Sequence, residues 1–120
     1  MTAAAKTVVA FAVYMAVTGV ILLASPNTML ALVGLPLTDE VWLRVLGMFM
    51  IIVSYYYYRA AVSELTAFFR ATVIGRTTMA MFLAGLALTG MGGGVLALFG
   101  LAELAGAVAT GLALRTSAAR

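Results

Sequence analysis

Four apolar stretches, each close to the length that crosses a lipid bilayer, constrain this chain more than any other feature of its sequence. They cover about residues 7–24, 41–59, 77–91 and 95–114. A transmembrane helix needs about 20 predominantly apolar residues. Hydrophobic residues make up 65% of the chain and charged residues 9%, whereas an average soluble domain is about 45–50% apolar and about 25% charged. We therefore expect an all-α fold in which residues 1–120 form one transmembrane four-helix bundle.

The residue types present exclude several kinds of chemistry. The chain has 0 Cys and 0 His, so it offers no disulfide, no thiolate and no imidazole as a metal ligand or general base. It contains neither a P-loop nor a dinucleotide-binding fingerprint. Asp39 and Glu40 are adjacent but have no third carboxylate nearby in sequence to hold a hard cation. We expect no metal and no cofactor, and a protein that is not itself an enzyme; acid–base work by Glu103 with a tyrosine stays open.

The first apolar stretch has two interpretations. It resembles a secretory signal peptide in having Lys6 before its apolar core. Signal peptides carry about 7–15 apolar residues, and this stretch is longer, so we expect a retained first span. After it, Ser25 and Pro26 are of the types that cap and open a helix. They predict a short interfacial helix that ends before Gly34 and Pro36.

The two longer connections carry most of the charge. We expect Thr38 to cap the second span, with Asp39 and Glu40 in its first turn, where the helix dipole stabilises carboxylates. Between the second and third spans we expect a polar connection over residues 59–76. Its Phe68 and Phe69 favour an interfacial position for this segment.

The distribution of bases predicts the orientation of the spans. With four spans, six of the seven bases fall on one side of the membrane: Lys6, Arg59, Arg70, Arg76, Arg115 and Arg120. The positive-inside rule then places both termini in the cytoplasm. We expect a multi-pass protein of a cell membrane, namely a bacterial inner membrane. The bases are spread over three segments, which argues against nucleic acid as a partner.

Glu103 is the most informative single residue, because it lies near the middle of the fourth span. A charged side chain there costs about 2.5–3.5 kcal/mol on insertion scales. The residues on its helical face are mostly small, which favours close packing inside the bundle: Leu96, Phe99, Gly100, Gly106, Ala107 and Thr110. Glu103 is therefore either a proton-exchanging or ligand-binding group, or a structural carboxyl that hydrogen-bonds to another helix.

Arg44, near the outer end of the second span, is the candidate partner of Glu103. In one interpretation the two residues make an interhelical contact, directly or through water. In the other, Arg44 extends outward to the lipid headgroups beside Trp42. On the first span, Tyr14 and Thr18 share one face, and a buried phenol needs a hydrogen-bond partner.

Four consecutive tyrosines, residues 55–58, end the second span. Most of this run fits an aromatic belt at the cytoplasmic boundary, with Tyr55 expected to point inward. The polar groups on the four spans predict a narrow cavity lined by Tyr14, Thr18, Arg44, Tyr55 and Glu103. The alternative is a dry, packed bundle in which the threonines bond to their own backbone.

The order of segments along most of the chain can be compared with that of known membrane-protein families. The chain has an apolar first span, an interfacial piece at residues 26–36, the segments VWLRVLGMFMIIVSYYYYRAA and FFRATVIGR, and a last helix with the internal acid Glu103. In this pattern, and most specifically at residues 44–47, the chain resembles the small four-helix membrane proteins grouped as DoxX-like or BphX-like. The resemblance implies the fold. Members of the grouping are linked to oxidoreductase complexes and quinone-side electron transfer, which implies a quinone or a membrane subunit as partner. The lack of Cys and His argues against a direct redox role.

Small multidrug resistance transporters also have four short spans and an essential membrane carboxylate. That family places the carboxylate in the first span, whereas Glu103 is in the last. Its dual-topology members also need balanced charge on the two sides, and the bases here are strongly biased to one side. The pattern therefore argues against an antiparallel dimer of that kind.

Two functional hypotheses follow from the sequence. The first is a non-enzymatic membrane module that binds an apolar small molecule or a partner membrane subunit, with Arg44 and Glu103 orienting it. The second is a proton-coupled small transporter, or a subunit of a membrane oxidoreductase complex, that uses Glu103 to exchange protons. A homo-oligomer is open in both, because the small-residue face of the last helix can pack within one chain or between chains.

Overall fold

The computed structural model describes residues 1–118, which fold into five helices. The helices are α1 (Ala3–Ala24), α2 (Pro26–Leu32), α3 (Trp42–Val62), α4 (Thr66–Leu88) and α5 (Gly93–Ala118). All except α2 are long and apolar enough to cross a membrane. The expectation of an all-α chain with four such helices, and a short helix between the first two, is confirmed at this level.

Local sequence explains where α1 and α2 begin. Thr2 precedes α1, and its Oγ1 accepts a hydrogen bond from the backbone N–H of Ala5 at 3.1 Å, which satisfies a donor that the helix leaves open. Pro26 opens α2 as predicted, because its ring has the φ angle of a helix and it needs no acceptor there. Gly34 follows α2 with a φ of 75°, a left-handed conformation that glycine adopts without a steric penalty.

The predicted cap of the second span is wrong, although the helix begins close to residue 41, as expected. Thr38 does not cap α3, which begins at Trp42 with no acidic residue in its first turn. Instead, the backbone N–H of Thr38 donates to Asn27 Oδ1 at 3.0 Å, and Thr38 Oγ1 accepts from the backbone N–H of Glu40 at 3.2 Å. These bonds hold residues 38–40 against α2 in a non-helical conformation, so that Asp39 and Glu40 precede α3 instead of lying in its first turn.

The predicted polar connection over residues 59–76 is also wrong. Helix α3 continues to Val62 and α4 begins at Thr66, so that only residues 63–65 connect them. Phe69, expected at the interface, is 1% exposed. The arginines in this segment lower its hydropathy without ending its helix. Arg120, one of the six bases counted on the cytoplasmic side, lies outside the described residues.

The chain divides into two compact units. One consists of Met1–Val8 and the chain from Ala60 onward, and the other is Val9–Arg59. The single transmembrane domain over residues 1–120 stays a prediction.

Helices α4 and α5 pack along each other in the first unit. The buried side chains of α4 recur every three or four residues and form one stripe: Phe69, Thr72, Arg76 and Ala80. On α5, Gly100 lies so close to α4 that a Cβ there would be 3.4 Å from the carbonyl oxygen of Ala80. Ala107 and Thr110 are buried on the same face. Small residues therefore give α5 its close approach to α4.

In the second unit, α1 and α3 meet at two glycines. A Cβ on Gly19 would lie 2.8 Å from the carbonyl oxygen of Gly47, and a Cβ on Gly47 would lie 2.6 Å from the carbonyl oxygen of Gly19. The two backbones are thus in direct contact. Ala12, Met15 and Leu22 are buried on the same face of α1, at the three-to-four-residue spacing of a packed helix face.

Candidate functional site

Arg76 is the most buried charged residue among those described. It is 3% exposed and lies about 15 Å along α4 from the start of that helix, at 1.5 Å per residue. The sequence placed it in a cytoplasmic connection. Arginine is seldom buried unless it is paired or hydrogen-bonded, so its position here marks the centre of a polar cluster.

The guanidinium of Arg76 joins α4 to α5 through hydroxyl groups. Its Nη2 donates to Thr72 Oγ1 at 3.0 Å and to Thr110 Oγ1 at 3.2 Å. Thr72 Oγ1 in turn donates to the carbonyl oxygen of Phe69 at 2.7 Å. Because a helical side chain points toward the N-terminus of its own helix, Arg76 reaches back to Thr72 one turn earlier.

The hydroxyl chain continues to α1. Thr7 Oγ1 lies 2.8 Å from Thr110 Oγ1 and donates to the carbonyl oxygen of Ala4 at 2.7 Å. A threonine hydroxyl has one hydrogen to donate, so Thr110 must be the donor to Thr7. The order of donation therefore runs from Arg76 through Thr110 and Thr7 to a backbone carbonyl of α1.

Glu103 belongs to this cluster. Its carboxyl is half-buried on α5 and interacts electrostatically with Arg76. The bond from Arg76 to Thr110 places the guanidinium seven residues from Glu103 along α5, or about 10 Å at 1.5 Å per residue, so that the two opposite charges attract each other at a distance. We call Thr7, Thr72, Arg76, Glu103 and Thr110 the Arg76 cluster. Of the residues predicted to form a site, only Glu103 is in it.

Arg44 has a different local role. Its Nη1 donates to the carbonyl oxygens of Leu23 at 2.5 Å and Ala24 at 3.3 Å, at the C-terminus of α1. A cation at this end of a helix binds the open carbonyls and is favoured by the helix dipole. The contact between Arg44 and Glu103 stays a prediction, and each of these residues has another described partner.

The inward-pointing tyrosine is not the one predicted. Tyr55 is 59% exposed. Tyr57 is less exposed, and its ring centroid lies 5.8 Å from that of Phe11, which also packs against Tyr14 at 5.6 Å. Tyr57 lies three residues after the buried Ser54 and therefore shares its helix face, whereas Tyr55 is rotated away by about 100°.

Thr18 is half-buried on α1. Glu103 is in the first unit, whereas Tyr14, Thr18, Arg44 and Tyr55 are in the second. The cavity lined by all five residues therefore stays a prediction. Among residues 1–118, no group of three or more carboxylates lies close enough to hold a metal ion.

An open groove lies between α1 and α3 in the second unit. Its volume is about 240 Å³, and its lining is mostly apolar: Val9, Ala12, Val13, Ala16, Ser54, Tyr55 and Tyr58. The Ser54 hydroxyl donates to the carbonyl oxygen of Ile51 at 2.6 Å. The groove therefore presents an almost wholly apolar surface, and Tyr55 and Tyr58 contribute to its lining.

The connection between α3 and α4 is hydrogen-bonded to the residue that precedes α1. Thr2 donates from its backbone N–H to Glu64 Oε1 and from its Oγ1 to Glu64 Oε2, both at 2.7 Å. Glu64 has a φ of 51°. Both bonds lower the pKa of Glu64 below its ordinary value of 4.5, and the bond from the Thr2 hydroxyl has the larger effect.

A pH dependence follows from this carboxylate. Since the pKa of Glu64 is lower in the folded chain, its bonds stabilise the fold at pH values above the unfolded pKa of 4.5. That contribution is lost as the pH falls through the folded pKa. We expect Glu64→Gln to melt at a lower temperature than the wild type near neutral pH, and the difference to vanish in acid. Thermal unfolding in detergent across this range measures it, and a constant difference would contradict the role given to Glu64.

Comparison of the chain with protein-family models, curated proteins and solved structures finds no match. Membership of the DoxX-like or BphX-like grouping stays a prediction. The Arg76 cluster and the groove between α1 and α3 are the features of residues 1–118 that bear on function.

Proposed function

We propose that the chain is a multi-pass membrane protein in which α1, α3, α4 and α5 cross the bilayer and both termini are cytoplasmic. The bonds between Thr2 and Glu64 support an arrangement in which the N-terminus and the α3–α4 connection share one side. The exposed bases near that side support its assignment to the cytoplasm by the positive-inside rule: Lys6, Arg59, Arg70 and Arg115. Arg76 leaves this count because it is buried within α4.

Within the membrane, we propose a non-enzymatic role as a binding module for an apolar, ring-sized molecule dissolved in the bilayer. The groove between α1 and α3 carries this proposal, because its lining is almost wholly apolar and includes the side chains of Tyr55 and Tyr58. Such sites are typically apolar with a few polar groups that fix orientation. A volume of about 240 Å³ suits a single apolar ring, such as that of a quinone, held mainly by apolar contacts. A partner membrane subunit is the alternative occupant.

A short-chain benzoquinone tests this proposal. We expect it to raise the melting temperature of the protein in lipid nanodiscs as its concentration increases, because it binds only the folded state. In Ala16→Leu the added side chain fills the groove, and the shift should be lost. Ala84→Leu makes the same exchange at an exposed position of α4 and should keep the shift. Absence of the shift in the wild type, or an equal shift in Ala16→Leu, would contradict the proposal.

The Arg76 cluster supports a second candidate function. A half-buried carboxylate that interacts electrostatically with a buried guanidinium within candidate spans is an arrangement found on proton and ion pathways in membranes. In this alternative the chain is a proton-coupled transporter, or a subunit of a membrane oxidoreductase complex. Glu103→Gln tests it: loss of ligand-linked proton release from a folded sample supports it, and unchanged release contradicts it.

A further inference from the structure

A second, polar pocket lies where α1 ends, at the opposite end of the second unit from the run of tyrosines. Its volume is about 170 Å³, and its lining includes Asn27, Thr38, Asp39, Glu40 and Arg44. It therefore brings one guanidinium and two carboxylates to a single small opening.

The charged groups of this pocket are held in place but not paired with one another. The Asn27–Thr38 and Thr38–Glu40 bonds fix the segment that carries the acids. Arg44 uses only its Nη1 for the end of α1. Within residues 1–118, its Nε and Nη2 make no hydrogen bond, and the carboxylates of Asp39 and Glu40 make no hydrogen bond or ion pair. Charges of both signs are thus available to a ligand.

An apolar surface adjoins the pocket and shares Ser25 and Asn27 with it. It is a shallow opening of about 490 Å³ that includes Leu32 and Leu37, which are 75% and 64% exposed. Trp42, at the start of α3, is 70% exposed; tryptophan is enriched where proteins meet the headgroup layer. A polar pocket beside exposed leucines matches the two parts of an amphiphile.

We propose that this pocket binds the headgroup of an aminophospholipid, a phosphoethanolamine zwitterion, with the upper acyl chain on the adjoining leucines. Arg44 binds the phosphate, for which a guanidinium has the matching donor geometry. The primary ammonium donates to the carboxylates of Asp39 and Glu40. Two acids against one base disfavour a purely anionic headgroup, and a choline headgroup has no N–H to donate. The site requires the proposed membrane location but not a quinone in the α1–α3 groove.

Lipid competition in detergent tests the site. The purified protein is given equal amounts of phosphatidylethanolamine, phosphatidylcholine and phosphatidylglycerol, and the retained lipid is identified by native mass spectrometry. We expect phosphatidylethanolamine to be retained about tenfold over phosphatidylcholine, because two charge-assisted hydrogen bonds depend on its ammonium. Equal retention of the two, or a preference for phosphatidylglycerol, would overturn the proposal.

The double variant Asp39→Asn/Glu40→Gln locates the preference. Both side chains are exposed and make no described side-chain hydrogen bond, so that folding is spared, and the preference for phosphatidylethanolamine should disappear. Glu64→Gln is the matched control, because it removes a carboxylate at another connection, and it should keep the preference. A preference that survives the double variant would overturn the site. If the quinone does not raise the melting temperature but phosphatidylethanolamine is still preferred, only the proposed ligand site in the α1–α3 groove is rejected.

Discussion

Arg76→Met is expected to destabilise the folded chain by about 1–3 kcal/mol, the usual effect of leaving buried hydrogen-bonding groups without a partner. Methionine fills much of the same space but donates nothing to Thr72 or Thr110. It also removes the cation that attracts the half-buried carboxyl of Glu103. The measurement is the free energy of unfolding in mixed detergent micelles.

Arg70→Met is the matched control for this prediction. Arg70 is on the same helix but exposed, so that its loss should change the free energy of unfolding by about 0.5 kcal/mol or less. The double variant Arg76→Met/Glu103→Leu should recover part of the stability, because the carboxyl that the arginine attracted is also gone. If Arg76→Met is as mild as Arg70→Met, or if the second change adds to the loss, the two charges are not coupled.

Gly47→Ala is expected to produce the second large loss. The new Cβ would lie 2.6 Å from the carbonyl oxygen of Gly19 and 2.8 Å from the backbone nitrogen of Leu23. Both neighbours are backbone atoms, so that no side chain can rotate away and α1 must move. We expect a loss of about 1–3 kcal/mol, typical of overpacking at a close contact, measured as the free energy of unfolding.

Gly85→Ala supplies the control for this contact. A Cβ at Gly85 has no heavy atom within 4 Å in the structure, and alanine is favoured over glycine in a helix by about 1 kcal/mol. The same substitution should therefore be neutral or stabilising in α4 and harmful in α3. Equal effects at the two positions would contradict the close approach of Gly19 and Gly47.

The features that depend on local pattern were predictable. Length and hydropathy are sufficient to identify four long apolar helices, and Ser25-Pro26 is sufficient to place α2. The small-residue face of Glu103 was predicted from helical spacing, and Gly100, Ala107 and Thr110 are indeed buried. The residues that share a helix face recur every three or four positions, so that the face can be identified from the sequence of that helix alone.

The partner of Glu103 was not predictable in the same way. Arg76 was assigned to a connection because Arg70 and Arg76 lower the hydropathy of residues 66–76, although an arginine continues a helix as well as most residues do. The available signal was the spacing of Phe69, Thr72 and Arg76, which places an arginine on an otherwise buried face. Its bond to Thr110 depends on how α4 and α5 pack, and the sequence pattern of a single helix does not predict that packing.

Two further differences have the same cause. The contact of Gly19 with Gly47 joins residues far apart in sequence, so that neither glycine stands out alone. Tyr55 was placed inward by its depth in the span, whereas the rotation of α3 about its axis makes Tyr57 face Phe11. Rotation is set by the packing partner of a helix, and four consecutive tyrosines point in every direction.

Four crossings of the bilayer fix the side of the membrane that each connection reaches, and labelling can determine that side. The chain has 0 Cys, so that single cysteines at Leu37, Ser63 and Met91 can each be labelled without background. In sealed right-side-out vesicles, a membrane-impermeant maleimide should label Leu37→Cys and Met91→Cys, and should label Ser63→Cys only after permeabilisation. Labelling of Ser63→Cys from outside together with the other two would contradict a chain that crosses the bilayer four times.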